Sequence, residues 1–101
     1  MVLACRRIQQ FSADSDETAF FANELVQSAI AYQLQIIGEA ASKVSEAFKG
    51  THDVDWPAIV GLRNRIVHGY RDLDLKILWS IVRNEVDPLR TTLEQWITPA
   101  R

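Results

Sequence analysis

The residues best equipped for chemistry fall in one short run, Arg63-Asn64-Arg65-Ile66-Val67-His68-Gly69-Tyr70. A guanidinium can hold a phosphate through a planar two-point contact. An imidazole can accept or donate a proton near neutral pH. Arginine and histidine in one run therefore suit the cleavage of a phosphodiester bond without a metal ion. We take Arg63, Asn64 and His68 as candidate catalytic residues and Arg65 as a supporting residue.

Composition limits what kind of protein carries this run. The 101 residues suit a single domain over residues 1–101, and 48% of them are apolar. Eleven basic residues against 13 acidic ones give a net charge of −2, so a contact with RNA must be local. A single cysteine excludes an internal disulfide and favours a cytoplasmic protein. No apolar run approaches the roughly 18 residues that a membrane span needs.

Apolar periodicity predicts an all-α fold, an antiparallel bundle of four or five helices. We expect a first helix over residues 2–11, with Ser15 or Asp16 capping the next one. Spacings of three and four predict one long helix over residues 24–48, with Gly50 at its C′ position. The buried stripe of that helix comprises Val26, Ile30, Leu34, Ile37, Ala41, Val44 and Phe48.

The second half of the chain is also predicted to be helical. A helix that begins at Asp55-Trp56-Pro57 should carry the arginine-histidine run and weaken at Gly69. Asp72 or Asp74 should cap the following helix. Pro88 should kink that helix or restart it.

A helical wheel over residues 59–70 places Arg63 within a broad apolar arc. A charged arginine there is costly unless it has a partner or lines a cleft at an interface. One interpretation is a buried ion pair with Glu39, a further supporting candidate, and a carboxylate that orients Arg63 is compatible with function. In a continuous helix Arg63 and His68 point about 140° apart. They could act on one phosphate only if the helix loosens at Gly69 or if two chains pool their residues.

The run resembles the signature of the HepT-type HEPN toxins, in which arginine, four residues, histidine, one residue and tyrosine follow one another. Those positions are Arg63, His68 and Tyr70 in this sequence. The resemblance covers roughly residues 24–97. Flanking segments that agree with it are Ile36-Ile37-Gly38-Glu39-Ala40, Trp56-Pro57, Asp74-Leu75 and Leu78-Trp79.

The resemblance implies a small homodimer that cleaves RNA without a metal, with both Arg-x4-His motifs lining a cleft between the subunits. The implied partner is a minimal nucleotidyltransferase of the MntA type, an antitoxin that transfers AMP to the motif tyrosine, here Tyr70. Arg63 would hold the scissile phosphate, and His68 would act as general acid or base on an RNA whose own 2′-hydroxyl is the nucleophile. Asn64 would orient His68 or donate to the phosphate. No cofactor is implied, and His52 and His68 lack companions at metal-ligand spacing.

Two other interpretations stay open. The chain could be a non-catalytic HEPN module that only docks a nucleotidyltransferase. It could also be a purely structural bundle in which the run is a solvated helix end. An RNA cleavage assay with Arg63→Ala and His68→Ala variants separates an enzyme from the first, and the stability of Arg63→Ala tests the second.

Overall fold

The computed structural model describes residues 1–51, 54–68 and 72–97. Within these ranges the chain is helical apart from one short strand pair, so the predicted all-α fold is confirmed. The helices are α1 (Val2–Ser12), α2 (Glu17–Phe21), α3 (Glu24–Ser42), α4 (Glu46–Thr51), α5 (Trp56–Val60), α6 (Leu62–Ile66), α7 (Leu75–Asn84) and α8 (Val86–Ile97). The strands are β1 (Val67–His68) and β2 (Asp72–Leu73). The expected four or five helices are therefore eight shorter segments in the described part of the chain.

Aspartate caps begin helices where the sequence predicts them. Asp16 begins α2, Asp55 begins α5 and Asp74 begins α7, because each carboxylate accepts a hydrogen bond from the backbone N–H three residues later. Of the two candidate caps for α7, Asp72 instead lies in β2. Pro88 lies in the first turn of α8, as a restarted helix requires.

The predicted long helix over residues 24–48 is wrong, because α3 ends at Ser42. The hydroxyl of Ser42 donates to the carbonyl of Glu39 at 2.6 Å. The hydroxyl of Ser45 accepts from the backbone at the start of α4. Serine side chains offer the backbone such local alternatives to a continuous helix. Gly50 therefore lies inside α4 and does not end α3.

The predicted helix that carries the arginine-histidine run is also interrupted. Gly61 ends α5 and begins α6, with φ −84° and ψ 7°, although the hydrogen bonds from its N–H to Pro57 and from Arg65 to its carbonyl continue the helical pattern across it. Glycine weakens a helix interior by about 1 kcal/mol relative to alanine, which favours a break here. The α6 turn then stops at Ile66, before the expected loosening at Gly69.

The core is built around α3, which contacts α1, α5, α6 and α7. The centre of the predicted stripe is buried and its ends are half-buried, so the stripe is confirmed for the span that stays helical. Buried side chains from the other helices complete the core: Ala4, Cys5, Ile8, Phe20, Trp56, Ile59, Leu62, Ile66, Leu78, Ile81, Val86 and Leu93. The Cα atoms extend 43 × 31 × 16 Å, and the shortest dimension corresponds to two helix layers.

The first and last helices lie side by side in opposite directions. Arg6 in α1 bonds to Glu94 near the end of α8, and Gln9, one turn further along α1, bonds to Asp87 near the start of α8. This pairing agrees with the predicted antiparallel arrangement. None of the helices in the described ranges is long and apolar enough to cross a bilayer.

Candidate active site at the α6 turn

The α6 turn presents its residues in three directions. Leu62 and Ile66 are buried and form the edge that packs on the core. At about 100° per residue, Arg63 and Arg65 lie on opposite flanks of that edge, and Asn64 points away from it. Arg63 and Asn64 are exposed, whereas Arg65 is half-buried. One short turn therefore directs its two arginines to different neighbours.

Arg63 is exposed, so the buried setting expected for it within an apolar arc is wrong. Of the apolar residues on the wheel, Ile59, Leu62 and Ile66 are buried, whereas Val60, on the flank where Arg63 lies, is exposed. The predicted buried ion pair with Glu39 is wrong as well, because both side chains are exposed and no salt bridge joins them. Within the described ranges, Arg63 has no carboxylate partner.

Arg63 and Glu39 nevertheless line one groove of about 180 Å³ between α3 and the α5–α6 turn. A Cβ atom on Gly38 would lie 3.2 Å from the carbonyl oxygen of Ile59 and 3.3 Å from that of Val60. The bare backbone of Gly38 thus allows α5 to approach α3 closely. The approach places polar groups of both helices on the same groove, whose other lining residues are Gln35, Gly38, Ser42 and Val60.

Arg65 faces the junction between α7 and α8. Its Nη1 donates to Oε1 of Glu85 at 3.1 Å, and its Nη2 donates to Oε2 at 2.9 Å. These hydrogen bonds to the Glu85 carboxylate raise the pKa of the Arg65 guanidinium. Arg65, predicted as a supporting residue, is thus engaged by a carboxylate. Sequence analysis missed Glu85, because it lies 20 residues away and no periodic pattern connects the two positions.

The backbone of His68 lies in β1, where it pairs with Asp72 of β2 in antiparallel register. At the start of that strand, the carbonyl of Ile66 accepts a hydrogen bond from the N–H of Asp74 at 2.6 Å. The run therefore leaves α6 as an extended strand before it reaches the histidine. The angle of about 140° between Arg63 and His68, calculated for a continuous helix, does not apply to this geometry.

Two predicted positions of the run, Gly69 and Tyr70, lie outside the described residues. The modification predicted at Tyr70 stays a prediction from the sequence. Elsewhere, in residues 1–51, 54–68 and 72–97, no three His, Cys, Asp or Glu side chains come together as metal ligands would.

Comparisons with known proteins identify the family of this chain. Residues 1–96 match the HepT-like family, described as ribonuclease HepT-like. A Methanocaldococcus jannaschii protein named "Putative RNase MJ1380" is 34% identical over 86 residues, which are 84% of this chain and 79% of that protein. A Thermococcus cleftensis protein named "Probable ribonuclease HepT" is 27% identical over 93 residues, which are 91% of this chain and 84% of that protein. No solved structure matches. Because the family match spans every described element up to the last turn of α8, the chain belongs to the HepT-like ribonucleases.

Proposed function

We propose that this chain is a metal-independent endoribonuclease whose site combines Arg63 with His68. The proposal rests mainly on the exposed guanidinium of Arg63, which lies in a groove and has no carboxylate partner in the described part of the chain. A guanidinium in that state can bind a phosphate through two parallel hydrogen bonds. The match to a ribonuclease family supports RNA as the substrate.

The reaction that fits these residues is attack by an RNA 2′-hydroxyl on the adjacent phosphorus. The P–O2′ bond forms as the P–O5′ bond breaks, which leaves a 2′,3′-cyclic phosphate and a 5′-hydroxyl. His68 removes the proton from the 2′-hydroxyl or delivers one to the leaving 5′-oxygen. Arg63 stabilises the charge that develops on the non-bridging oxygens. Asn64 orients His68 or donates to the phosphate.

A second copy of the chain completes this site. Leu25 and Tyr32 on α3 are 81% and 61% exposed, and their spacing places them on the same face as Glu39. Exposed Val60 extends this apolar surface to the groove of Arg63. Large exposed apolar side chains that adjoin a site favour a protein interface. A twofold axis at this face would bring two arginines into one cleft and form a homodimer.

The proposed biological setting is a cytoplasmic toxin–antitoxin pair, supported by the resemblance of residues 63–70 to the HepT signature. A minimal nucleotidyltransferase would act as antitoxin by transferring AMP from ATP to the hydroxyl of Tyr70, with release of pyrophosphate. The added phosphate would oppose an RNA phosphate next to His68 by charge and by bulk. Intact-mass measurement after co-expression should show one added AMP, and Tyr70→Phe should remove it. An unchanged mass would contradict this part of the proposal.

Cleavage of a labelled RNA by the purified protein in EDTA tests the catalytic proposal. The wild type should produce fragments that end in a 2′,3′-cyclic phosphate, and Arg63→Ala and His68→Ala should not. Arg7→Ala is a matched control, because Arg7 is also exposed and has no ion pair among the described residues. It should cleave at the wild-type rate.

Two outcomes would contradict the catalytic proposal. Cleavage that persists in both Arg63→Ala and His68→Ala would exclude these residues. A wild-type protein that binds its nucleotidyltransferase but cleaves no RNA would favour a non-catalytic docking module.

A further inference from the structure

The orientation of Arg63 depends on α6, a helix that is too short to be stable by itself. The α6 turn has five residues, begins at Gly61 and gives way to extended backbone at Val67. Isolated helices of fewer than about 12 residues are marginal in water, because nucleation is unfavourable. Contacts outside α6 must therefore fix its rotation, and the rotation decides where the guanidinium of Arg63 lies.

The packing of α6 leaves one side open. A cavity of about 320 Å³ lies between α5–α6 and the α7–α8 junction, beside the direct contacts of α6 with α7. Ile59 and Leu62 line it on one side, and Ile81 and Val86 line it on the other. Because side chains do not fill this space, close packing alone does not fix the distance between α6 and the junction.

Across this cavity, the guanidinium of Arg65 and the carboxylate of Glu85 form a two-point contact at 2.9 and 3.1 Å. The backbone of Glu85 is held at the α7–α8 junction, since its N–H donates to Ile81 and its carbonyl accepts from Leu89. A planar guanidinium in such a contact with a carboxylate restricts rotation as well as distance. The contact therefore ties one flank of α6 to a fixed point of the fold.

We propose that Glu85 is a positioning residue for the reaction, because its two-point contact with Arg65 sets the rotation of α6 and thereby the position of Arg63 on the opposite flank. The inference rests on the proposed ribonuclease function. Glu85 does not touch the RNA in this scheme. It acts on Arg63 only through Arg65 and the backbone of α6.

Glu85→Gln removes the charge and one of the two acceptors while keeping the size of the side chain. We expect kcat for RNA cleavage to fall about tenfold to a hundredfold, the range that a displacement of about 1 Å can cause. KM should change less than about threefold, because binding energy that is common to substrate and transition state is kept. Glu46→Gln is the matched control, since Glu46 is exposed and also pairs with a cation, Lys49.

The double variant Arg65→Glu/Glu85→Arg tests whether the pair acts as a unit. Arg65→Glu alone should lower kcat as much as Glu85→Gln does. The exchanged pair should recover much of the loss, because coupled residues are not additive. If Arg65 acted instead by binding RNA, the exchanged pair would give no recovery.

Amide hydrogen exchange gives a measurement that does not depend on activity. In Glu85→Gln, the amides of Arg65 and Ile66 should exchange faster, whereas amides in α1 should keep their protection. Unchanged exchange in α6, unchanged kcat, a change in KM alone or absence of recovery in the exchanged pair would each overturn the inference. A wild type without cleavage activity would instead overturn the proposed function, and the exchange experiment would still decide whether Glu85 orders α6.

Discussion

Two regions of the molecule place arginine in opposite surroundings. Between α1 and α8, Arg90 donates to both Asp87 and Glu94, and Arg6 also bonds to Glu94. We refer to these four residues as the α1–α8 seam. In the α3–α6 groove, lined by the residues given above, Arg63 has no carboxylate partner in the described part of the chain.

The charges of the seam are paired within the protein, because Arg6 bonds to Glu94 and Arg90 bonds to both Asp87 and Glu94. The hydrogen bonds from Arg90 lower the pKa of Asp87 and of Glu94. The groove is open, since Arg63 and Glu39 lie on one concave surface and are not bonded to each other. The comparison indicates that Arg63, which has no carboxylate partner among the described residues, is the better candidate for a ligand site.

The largest expected effect separates the two regions directly. Arg63→Ala should lower the rate of RNA cleavage about 10²- to 10³-fold, the usual consequence of removing one donor that stabilises transition-state charge. Its melting temperature should hardly change, because exposed substitutions stay within about 0.5 kcal/mol. Arg90→Ala should do the reverse, with a lower melting temperature and unchanged cleavage. Both variants need cleavage rates and thermal unfolding curves. If Arg63→Ala and Arg90→Ala lost activity and stability to the same extent, the groove and the seam would not differ in function.

Tyr32→Glu tests whether the exposed face of α3, which adjoins the groove, belongs to an interface between two copies of the chain. A charge on the exposed face of α3 should disfavour burial against a second copy, because an unpaired charge at an interface is strongly unfavourable. We expect light scattering to show a monomer and cleavage to fall at least about tenfold, because half of the composite cleft is lost. Leu3→Glu, a charge at an exposed apolar position on α1, is the matched control. A Tyr32→Glu variant that stays dimeric would exclude this face.

Local chemistry explains what the sequence could predict. Asp16, Asp55 and Asp74 cap helices because a carboxylate and the N–H three residues later need nothing else from the fold. The apolar stripe of α3 and the all-α class follow from periodicity alone. The RNase prediction came from the motif, and the family match supports it at that level.

The missed features depend on contacts that spacing does not encode. The wheel could not show that Val60 is exposed while Ile59, Leu62 and Ile66 are buried, so it did not reveal that Arg63 is exposed. The contact between Arg65 and Glu85 joins residues 20 positions apart. The strand at His68 exists because β2 returns to pair with it, which a helical pattern cannot show.

Gly38→Ala should have a smaller effect, because it acts on the groove through the backbone. Its Cβ would press on the carbonyl oxygens of Ile59 and Val60, which cannot rotate away. Overpacking costs about 1–3 kcal/mol, and alanine returns about 1 kcal/mol of helix propensity. We expect a net destabilisation of about 1 kcal/mol and a several-fold loss of cleavage. Gly50→Ala is the matched control, since nothing lies within 4 Å of its Cβ position and it should not destabilise the protein.

The ion pairs of the seam should make the stability of the protein decrease at acid pH. Asp87 and Glu94 have folded-state pKa values below their ordinary values of 3.8 and 4.5, chiefly because Arg90 donates hydrogen bonds to them. Their contribution to stability is therefore present above those ordinary values and is lost as the pH falls through the lowered ones. Thermal unfolding from pH 6 to pH 2 should show a decline that is smaller in Glu94→Gln. Arg63→Ala should keep the wild-type decline, because Arg63 pairs with no carboxylate of residues 1–51, 54–68 and 72–97. If Glu94→Gln and Arg63→Ala both reduced the decline in stability by the same amount, the difference between the seam and the groove would be contradicted.

Cys5, buried in α1 beside the seam, gives the most direct measure of whether the seam stays closed. Burial raises the pKa of its thiol to about 11 from an ordinary 9.0, although the charge of Arg90 acts in the opposite direction. Two pKa units reduce the thiolate fraction at pH 8 about 100-fold, and burial also blocks the reagent. An aromatic disulfide reagent should therefore react with the native protein at least about 100-fold more slowly than with the unfolded chain. Arg90→Ala should speed the native reaction, because a weaker seam opens more often, whereas Arg63→Ala should leave it unchanged. A slower reaction in Arg90→Ala would show that the charge of Arg90, rather than opening of the seam, controls access to the thiolate.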